Sequence, residues 1–223
     1  MITDFEAKMN VQTSDMDGLW VQFNPGVRIL PEPPEPPEPE DWALVADGNQ
    51  YVNIGYIGDV RSLSYKLEVD VDTNVLDRHS IFGVVSGTNL YGIAYQNGGL
   101  LYYPGEIPIP NLTGRMKIEY NYQTKDLNVN GNVYPNMQPP ISPGNTTASL
   151  GKMSGEIVGN GMIGQIFSGE FWAEDEIAVD VVPVPMGDTT YSTTPAPSNC
   201  MWDKVSGAYL QNVGTGDFGF VGV

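Results

Sequence analysis

The sequence predicts an all-β protein built as a two-sheet antiparallel sandwich. Three observations lead to this prediction. Several short segments alternate apolar and polar residues, clusters of Gly, Asn and Pro separate these segments, and no long segment repeats apolar residues at the helical period. The chain of 223 residues is long enough for one large core, so we expect one main domain with an appendage.

The clearest strand signal lies at residues 63–72, "LSYKLEVDVD", where apolar residues at odd positions alternate with polar or charged residues. The segment "MKIEYNY" at residues 116–122 has the same pattern. Just beyond it, Asn130 and Gly131 separate two short alternating runs, which predicts a hairpin with a two-residue turn. Further strands are predicted at "YVNIGY", "SIFGVVS", "LYGIAY", "MIGQIFSGEFW" and "EIAVDVV".

The region before this body has a different composition. We predict an N-terminal arm at residues 1–30, a Pro/Glu linker at 31–41 and the sandwich domain at 42–223. Capping-box spacing in "TDFE" predicts a short helix over about residues 4–10 of the arm, and "GLWVQF" is predicted to form a single strand. The linker contains "PEPPEPPEPE", which predicts polyproline II because proline fixes φ and lacks an N–H group.

The arm is too short to bury a core of its own, so its apolar side chains need a surface to pack on. This surface is either the sandwich itself or, as we favour, a second subunit or another protein. We therefore expect a homo-oligomer, with a trimer as one option, although no heptad repeat encodes a trimeric coiled coil. The linker would act as a spacer of roughly 30 Å. The assembly residues of the arm are Trp20, Phe23, Val27 and Leu30.

Charge and targeting signals narrow the partners. Twenty-seven acidic residues against ten Lys and Arg give a net charge of -17, which disfavours nucleic acid and anionic membrane surfaces. The sequence shows no signal peptide and no apolar run long enough for membrane insertion, so we expect a soluble protein made in a cytoplasm. The single cysteine, Cys200, excludes an intrachain disulfide and is predicted to be a buried, inert thiol.

Catalytic residues are not evident. Glu174 and Glu176 would lie on one face of a strand about 7 Å apart, a separation that suits a glycosidase. However, "EDEIA" lacks the order of acid, hydrophobe, Asp, hydrophobe and Glu that such enzymes show, and strand-edge acids commonly protect against aggregation. His79 in "LDRHS" is interpreted as a turn residue. We predict a protein that is not an enzyme, with a glycoside hydrolase as the remote alternative.

Calcium is the one cofactor that the carboxylate-rich composition leaves open. The segment "DVDTNVLDRHSI" places Asp70, Asp72 and Asn74 at the first, third and fifth positions of an EF-hand loop. Val75 stands where the loop needs glycine, and Ile81 stands where it needs the closing glutamate. The segment is therefore not an EF-hand, and a calcium site assembled from separate loops remains open.

Tyrosines and amides cluster in the segment "NLYGIAYQNGGLLYYPGE" at residues 89–106. Sugars stack their apolar faces on aromatic rings while amides and carboxylates bind their hydroxyls, so this cluster is a candidate glycan-binding site. The alternative is that these tyrosines fill half-buried strand positions. The candidate residues are Tyr91, Tyr95, Gln96, Asn97, Tyr102 and Tyr103.

Motifs at both ends of the body carry a resemblance. The segment "DGNQYVNIGY" at 47–56, the hairpin "NVNGN", "GEFWAEDEIAVDVVPVP" at 169–185 and "NCMWDKVSGAYLQNVGTGDF" at 199–218 resemble the laminin-G-like, concanavalin A-like jelly-roll modules of tailed-phage and prophage virion proteins. The resemblance covers roughly residues 43–223, with Trp202 in place of the usual tyrosine. It implies a jelly-roll sandwich displayed on a virion surface, and it carries no residue-level site.

The predicted function follows from this resemblance. We expect a virion structural protein of a bacteriophage, as a capsid decoration, head fibre or tail-associated protein, made in the cytoplasm of the bacterial host. Its N-terminal arm would contact other virion proteins. The alternative is an adhesin that binds a glycan on the host-cell surface.

Overall fold

The computed structural model describes part of the chain, and the structural statements below concern that part only. The described residues are 11–13, 19–21, 42–86, 89–103, 107–110, 113–137, 145–152 and 160–222. The chain forms two compact units, Met1–Glu38 and Pro39–Val223. The boundary between them falls inside the predicted linker, whose own conformation lies outside the described residues.

The first unit contains an antiparallel pair of short strands, β1 (Val11–Thr13) and β2 (Leu19–Val21). The strand β2 confirms the strand predicted in "GLWVQF". The predicted helix over residues 4–10 lies outside the described residues, as do the side chains of the predicted assembly residues Trp20, Phe23, Val27 and Leu30. Their role in assembly stays a prediction.

The second unit consists of strands apart from one 3-10 turn at Val60–Ser62. Its strands are β3 (Trp42–Asp47), β4 (Val52–Asp59), β5 (Leu63–Asp72), β6 (His79–Ser86), β7 (Asn89–Gln96), β8 (Gly99–Tyr103), β9 (Ile107–Pro110), β10 (Thr113–Asn121), β11 (Asp126–Val129), β12 (Asn132–Tyr134), β13 (Asn145–Leu150), β14 (Asn160–Gly161), β15 (Ile163–Ala173), β16 (Glu176–Val184), β17 (Cys200–Asp203), β18 (Ala208–Leu210) and β19 (Gly219–Gly222).

These strands form two sheets. The larger sheet has the order β12-β11-β10-β5-β15-β16-β17-β18. In the same sheet, β3 pairs with β15, and β19 pairs with β3. The smaller sheet has the order β4-β13-β6-β7-β8-β9, and β14 pairs with β6. All of these pairs are antiparallel except the short parallel pair of β14 and β6. The two sheets pack into a sandwich, which confirms the predicted fold class of an all-β antiparallel sandwich of the jelly-roll type.

The core lies between the two sheets. In β5 the odd-numbered residues from Leu63 to Val71 are buried, while the even-numbered residues are exposed or partly exposed, as the alternation predicted. Side chains from the two sheets meet directly, because the ring of Tyr65 from β5 lies 5.2 Å from the ring of Phe82 from β6. The outer face of the larger sheet is therefore formed by the even-numbered side chains of β5 and their neighbours.

The predicted hairpin is present between β11 and β12. Asn130 and Gly131 form its two-residue turn, with φ angles of 51° and 85°. Both angles are positive, as a type I′ turn requires, and glycine and asparagine are the residues that adopt them at least cost. This turn fixes the register in which Asn128 lies opposite Val133.

The segments at residues 47–56 and 199–218, near the two ends of the sandwich sequence, contact each other. The side-chain oxygen of Asn212 accepts a hydrogen bond from the backbone N–H of Tyr51 (3.1 Å), and the backbone N–H of Val213 donates to the carbonyl of Tyr51 (2.9 Å). A Cβ atom on Gly214 would lie 1.9 Å from the carbonyl oxygen of Asn49, so only glycine fits there. These contacts join the first and last segments of the sandwich.

The segment at residues 199–218 also contains the turn between β17 and β18, which the buried Asp203 stabilises. Its carboxylate accepts hydrogen bonds from the backbone N–H groups of Asp180 (3.0 Å), Val205 (3.1 Å) and Ser206 (3.2 Å). The aspartate thereby connects the β17–β18 turn to β16. Cys200 is buried as predicted, and burial raises the pKa of its thiol to about 11.

His79 corrects one prediction. It is not a turn residue but the buried first residue of β6, where its Nδ1 donates a hydrogen bond to the carbonyl of Gly161 (2.7 Å). Its ring stacks on the ring of Tyr95 at a centroid distance of 5.4 Å. Within the described residues, no helix is both long enough and apolar enough to cross a membrane.

Candidate functional site

The tyrosines of the predicted glycan site lie in the interior. Tyr95 and Tyr102 are fully buried, and Tyr91 and Tyr103 are each 2% exposed. Tyr91 and Tyr102 lie 6.3 Å apart, and both contact Tyr120 of the opposite sheet. None of these rings offers a face to a sugar, so the prediction that they stack on a glycan is wrong for this structure.

The position of their strands explains this burial. The strand β7 lies between β6 and β8, and Tyr91 and Tyr95 share the face of the apolar Ile93, which points toward the core. The hydroxyl of Tyr95 donates to the carbonyl of Ile163 (2.9 Å) and accepts from the N–H of the same residue (2.8 Å). Desolvation raises the pKa of Tyr95 to about 12, and it raises the pKa of Tyr91 and of Tyr102 well above the ordinary value.

The two amides of the predicted site lie at the end of the β7–β8 hairpin. Gln96 donates from Nε2 to the carbonyl of Leu76 (2.7 Å), and the backbone N–H of Asn97 donates to the carbonyl of Val75 (2.9 Å). Both residues therefore attach the hairpin to the turn after β5, Gln96 through its side-chain amide and Asn97 through its backbone. They do not form a joint site with the tyrosine rings.

The structure instead contains a groove of about 560 Å³ on the outer face of the larger sheet. Residues of β5, β10, β11, β12 and β15 line it, and two turns flank it: the β15–β16 turn, and the β10–β11 turn between the lining residues Asn121 and Asp126. Eight of its lining residues are polar or charged, three are aromatic and one is a valine. The lining residues are Ser64, Tyr65, Lys66, Glu119, Tyr120, Asn121, Asp126, Asn128, Val133, Trp172, Glu174 and Asp175, of which the rings of Tyr65 and Tyr120 are buried below the floor.

Strand register determines which side chains meet on this floor. Lys66 of β5 lies opposite Glu119 of β10, which in turn lies opposite Asn128 of β11. On the other side of β5, Ser64 lies opposite Trp172 of β15. Residues directly opposite on one face of a sheet are close neighbours, so these five side chains form a continuous surface.

Trp172 is the aromatic side chain that this surface presents to solvent. Its indole ring is partly exposed, and the ammonium of Lys66 lies 5.1 Å from the ring centroid. Ile177, which is 42% exposed, lies opposite Trp172 on β16. An indole at this position provides a broad apolar face within a polar groove.

Hydrogen-bonding groups surround the indole. Asn128 donates from Nδ2 to Glu119 (3.3 Å), and Gln123 donates from Nε2 to Asp175 (2.8 Å), which links the two flanking turns. The carboxylates of Asp126 and Glu174 form no hydrogen bond or ion pair with any residue that the structure describes. These carboxylates are available to accept hydrogen bonds from hydroxyl or amino groups of a ligand.

The predicted carboxylate pair has a different geometry from the one expected. Glu174 lies in the β15–β16 turn with a φ of 58°, and its backbone N–H donates to the carbonyl of Ser62 (3.0 Å). Glu176 is the first residue of the next strand and does not line the groove. The expectation that both acids lie on one face of one strand is therefore wrong, because the chain reverses direction between them.

The EF-hand-like segment at residues 70–81 contains a simple turn between β5 and β6. Asp70 and Asp72 lie on the outward face of β5, and the carboxylate of Asp72 accepts hydrogen bonds from the backbone N–H (2.9 Å) and Nδ2 (3.0 Å) of Asn74. Across the described ranges, no group of three or more His, Cys, Asp or Glu side chains is arranged to hold a metal ion.

Trp172 is one of several groove residues that were not predicted as site residues, although the sequence carries a signal for it. In "SGEFWAE", Phe171 and Trp172 occupy opposite faces of one strand, and Glu170 shares the face of Trp172. An aromatic residue that shares a strand face with charged residues is expected on the outer face.

Comparisons with known proteins support the fold. No protein-family model matches the chain, and no curated protein is similar to it in sequence. Among solved structures, one match is a "putative carbohydrate binding protein" from Bacteroides ovatus ATCC 8483, with a TM-score of 0.55 and 13% sequence identity. The match covers 82% of this chain and 60% of that one, so this chain spans less than two thirds of the length of that protein. At this level of identity the match shows that the two proteins share the β-sandwich fold.

Proposed function

We propose that this protein binds carbohydrate in the groove on the outer face of its larger sheet. The observation that carries this proposal is the partly exposed indole of Trp172, surrounded by carboxylate and amide side chains in a groove of about 560 Å³. A sugar ring has an apolar face and a rim of hydroxyl groups. An aromatic face with convergent hydrogen-bonding groups complements both.

The groove also has a suitable size and composition. Small-molecule sites usually measure about 300–1,000 Å³, a range that includes this groove. Asn128, Asp126 and Glu174 supply acceptors, while Lys66 and the amides supply donors. The fold match to a protein named for carbohydrate binding is consistent with this function.

Substitution of Trp172 tests the proposal directly. The purified full-length chain is screened against an array of polysaccharides, and the affinity for the best ligand is measured by calorimetry. We expect Trp172→Ala to weaken binding about 30-fold, because the central aromatic residue of a site commonly supplies about 2 kcal/mol.

Trp42 supplies a matched control, since it is a partly exposed tryptophan outside the groove that contacts Phe220 at a centroid distance of 5.5 Å. Trp42→Ala is expected to leave the affinity within about twofold of the parent. Equal loss in both variants, or no binding to any polysaccharide, would contradict the proposed function.

The role on a virion surface and the attachment through the N-terminal arm stay predictions from the sequence. Light-scattering mass of the full chain, compared with a variant that begins at Glu40, tests the assembly role: a lower mass per particle in the shorter variant than its lost residues explain would support it.

A further inference from the structure

We infer, on the basis of that proposed function, that the groove prefers glycans with free amino groups over neutral glycans and disfavours acidic glycans. The proposal concerns the class of carbohydrate and rests on the charges that line the groove. It also rests on the position of a cationic side chain on the indole of Trp172.

The lining charges are strongly unequal. Four carboxylates line the groove, against the single ammonium of Lys66. None of these carboxylates has an ion-pair partner in the described part of the chain, and those of Asp126 and Glu174 accept no hydrogen bond there either. A uronate or sialate in the groove would therefore face like charges without a guanidinium to neutralise it, which costs binding energy. An ammonium group on a glycan would instead face opposite charges, which favours its binding.

Lys66 shows that a cation fits against the indole. Its ammonium lies 5.1 Å from the centroid of Trp172, and strand register places Glu119 and Glu170 on either side of it. The face of an indole attracts a cation because its π electrons are negative relative to the ring edge. This arrangement of one aromatic face and two neighbouring acids is therefore suited to an ammonium group.

The ammonium of Lys66 can leave the indole face when a ligand binds there. Lys66 is exposed and forms no ion pair with the residues that the structure describes, so its long side chain can move into solvent at small cost. The ammonium of an amino sugar would then occupy the indole face. A neutral sugar would keep the stacking and the hydroxyl contacts but would lose the charge interaction.

Three matched oligosaccharides test this order. A chitosan oligomer, its fully N-acetylated counterpart and an oligogalacturonate of the same length are titrated into the full-length protein by calorimetry, in a mildly acidic buffer of low ionic strength. We expect the chitosan oligomer to bind about fivefold more tightly than the acetylated one, and the oligogalacturonate to bind most weakly. Added salt is expected to reduce the difference.

Two charge variants show whether the preference arises in the groove. The double variant Asp126→Asn, Glu174→Gln is expected to lose most of the preference for the amino sugar, measured as the ratio of its affinities for the chitosan oligomer and the acetylated oligomer. The control is Asp77→Asn, Asp217→Asn, which removes the same charge at two exposed positions outside the groove and is expected to keep the preference.

The outcomes separate this inference from the function on which it rests. If Trp172→Ala weakens binding but the acetylated or acidic oligomer binds as tightly as chitosan, the amino-sugar preference is wrong and the groove remains the site. A preference that disappears equally in both charge variants also overturns it, because the attraction would then come from the whole surface. If none of the three oligomers binds in a manner that depends on Trp172, the proposed function fails as well.

Discussion

The sandwich places aromatic side chains in two contrasting settings. In its interior, Tyr65, Tyr91, Tyr102 and Tyr120 form a tyrosine cluster, in which each ring is at most 2% exposed and Tyr102 lies 5.5 Å from Tyr120. On the outer face of the larger sheet, Trp172 presents part of its indole to a polar groove. The tyrosine cluster packs the two sheets against each other, whereas the indole is the side chain that we propose contacts a ligand.

An aromatic side chain becomes a core residue or a candidate binding residue according to the face of the strand on which it lies. The number of aromatic residues in a segment does not decide this. Tyr91 shares a strand face with Ile93, which is fully buried. Trp172 shares a face with Glu170, which is partly exposed. Substitutions at the two sites should therefore have opposite consequences for stability and for binding.

The largest expected effect is on stability, at Tyr102. Tyr102→Ala removes a fully buried ring from the tyrosine cluster and is expected to lower the free energy of unfolding by about 3–5 kcal/mol, measured by urea denaturation. Tyr102→Phe keeps the ring and is expected to cost about 1 kcal/mol. An alanine variant as stable as the phenylalanine variant would show that the ring does not pack as described.

The second prediction is that a substitution at Trp172 has a small effect on stability and a large effect on binding. Trp172→Ala is expected to lower the free energy of unfolding by about 1 kcal/mol or less, although it removes most of the binding, because the indole lies on the outer face. The same urea experiment measures it. A stability loss as large as that of Tyr102→Ala would mean that the indole belongs to the core, and the contrast between the two regions would fail.

The third prediction concerns alkaline pH and the interior tyrosines. The folded-state pKa of Tyr95 is raised from about 10 to about 12, so its contribution to stability is complete below pH 10 and is lost as the pH rises through 12. We expect a loss of about 1 kcal/mol between pH 9 and pH 11.

Thermal or urea unfolding at several pH values measures this loss, and Tyr95→Phe provides the control. The phenylalanine variant has no ionisable group at this position and should show a shallower decline between pH 9 and pH 11. An identical pH dependence in both proteins would contradict the assignment to Tyr95.

The smallest expected effect lies at the β11–β12 hairpin, which carries Asn128 to the groove. Gly131→Ala forces a φ of 85° on a residue with a Cβ atom and is expected to cost about 0.5–1 kcal/mol of stability. Gly131→Asn should cost less, because asparagine adopts positive φ more readily. Equal stability of the alanine variant and the parent would show that the turn can relax to another geometry.

Much of the fold could be predicted from local sequence, because side chains of a β-strand alternate between its two faces with a period of two residues. Alternation in "LSYKLEVDVD" identifies β5, and the dipeptide Asn130–Gly131 identifies a turn whose geometry few residues adopt. Both signals depend on neighbouring residues alone, so they survive without knowledge of the tertiary structure.

The candidate site was not predicted, because it depends on contacts between distant segments. Glu174 lines the groove only because the chain turns at that residue, and Trp172 meets Ser64 and Lys66 only through the pairing of β15 with β5. The burial of Tyr102 likewise depends on Tyr120 from the other sheet. Alternation shows which residues share a face, but it does not show what covers that face.

The pairing of the first and last strands of the sandwich has a mechanical consequence. Trp42 at the start of β3 lies opposite Gly222 at the end of β19, so the two ends of this antiparallel pair lie side by side. A pulling force on these two residues would act on the ladder from one end and break its hydrogen bonds one after another, instead of shearing them together. Under tension the sandwich would therefore begin to open by the peeling of β19 from β3, at low force and before the tyrosine cluster is disturbed.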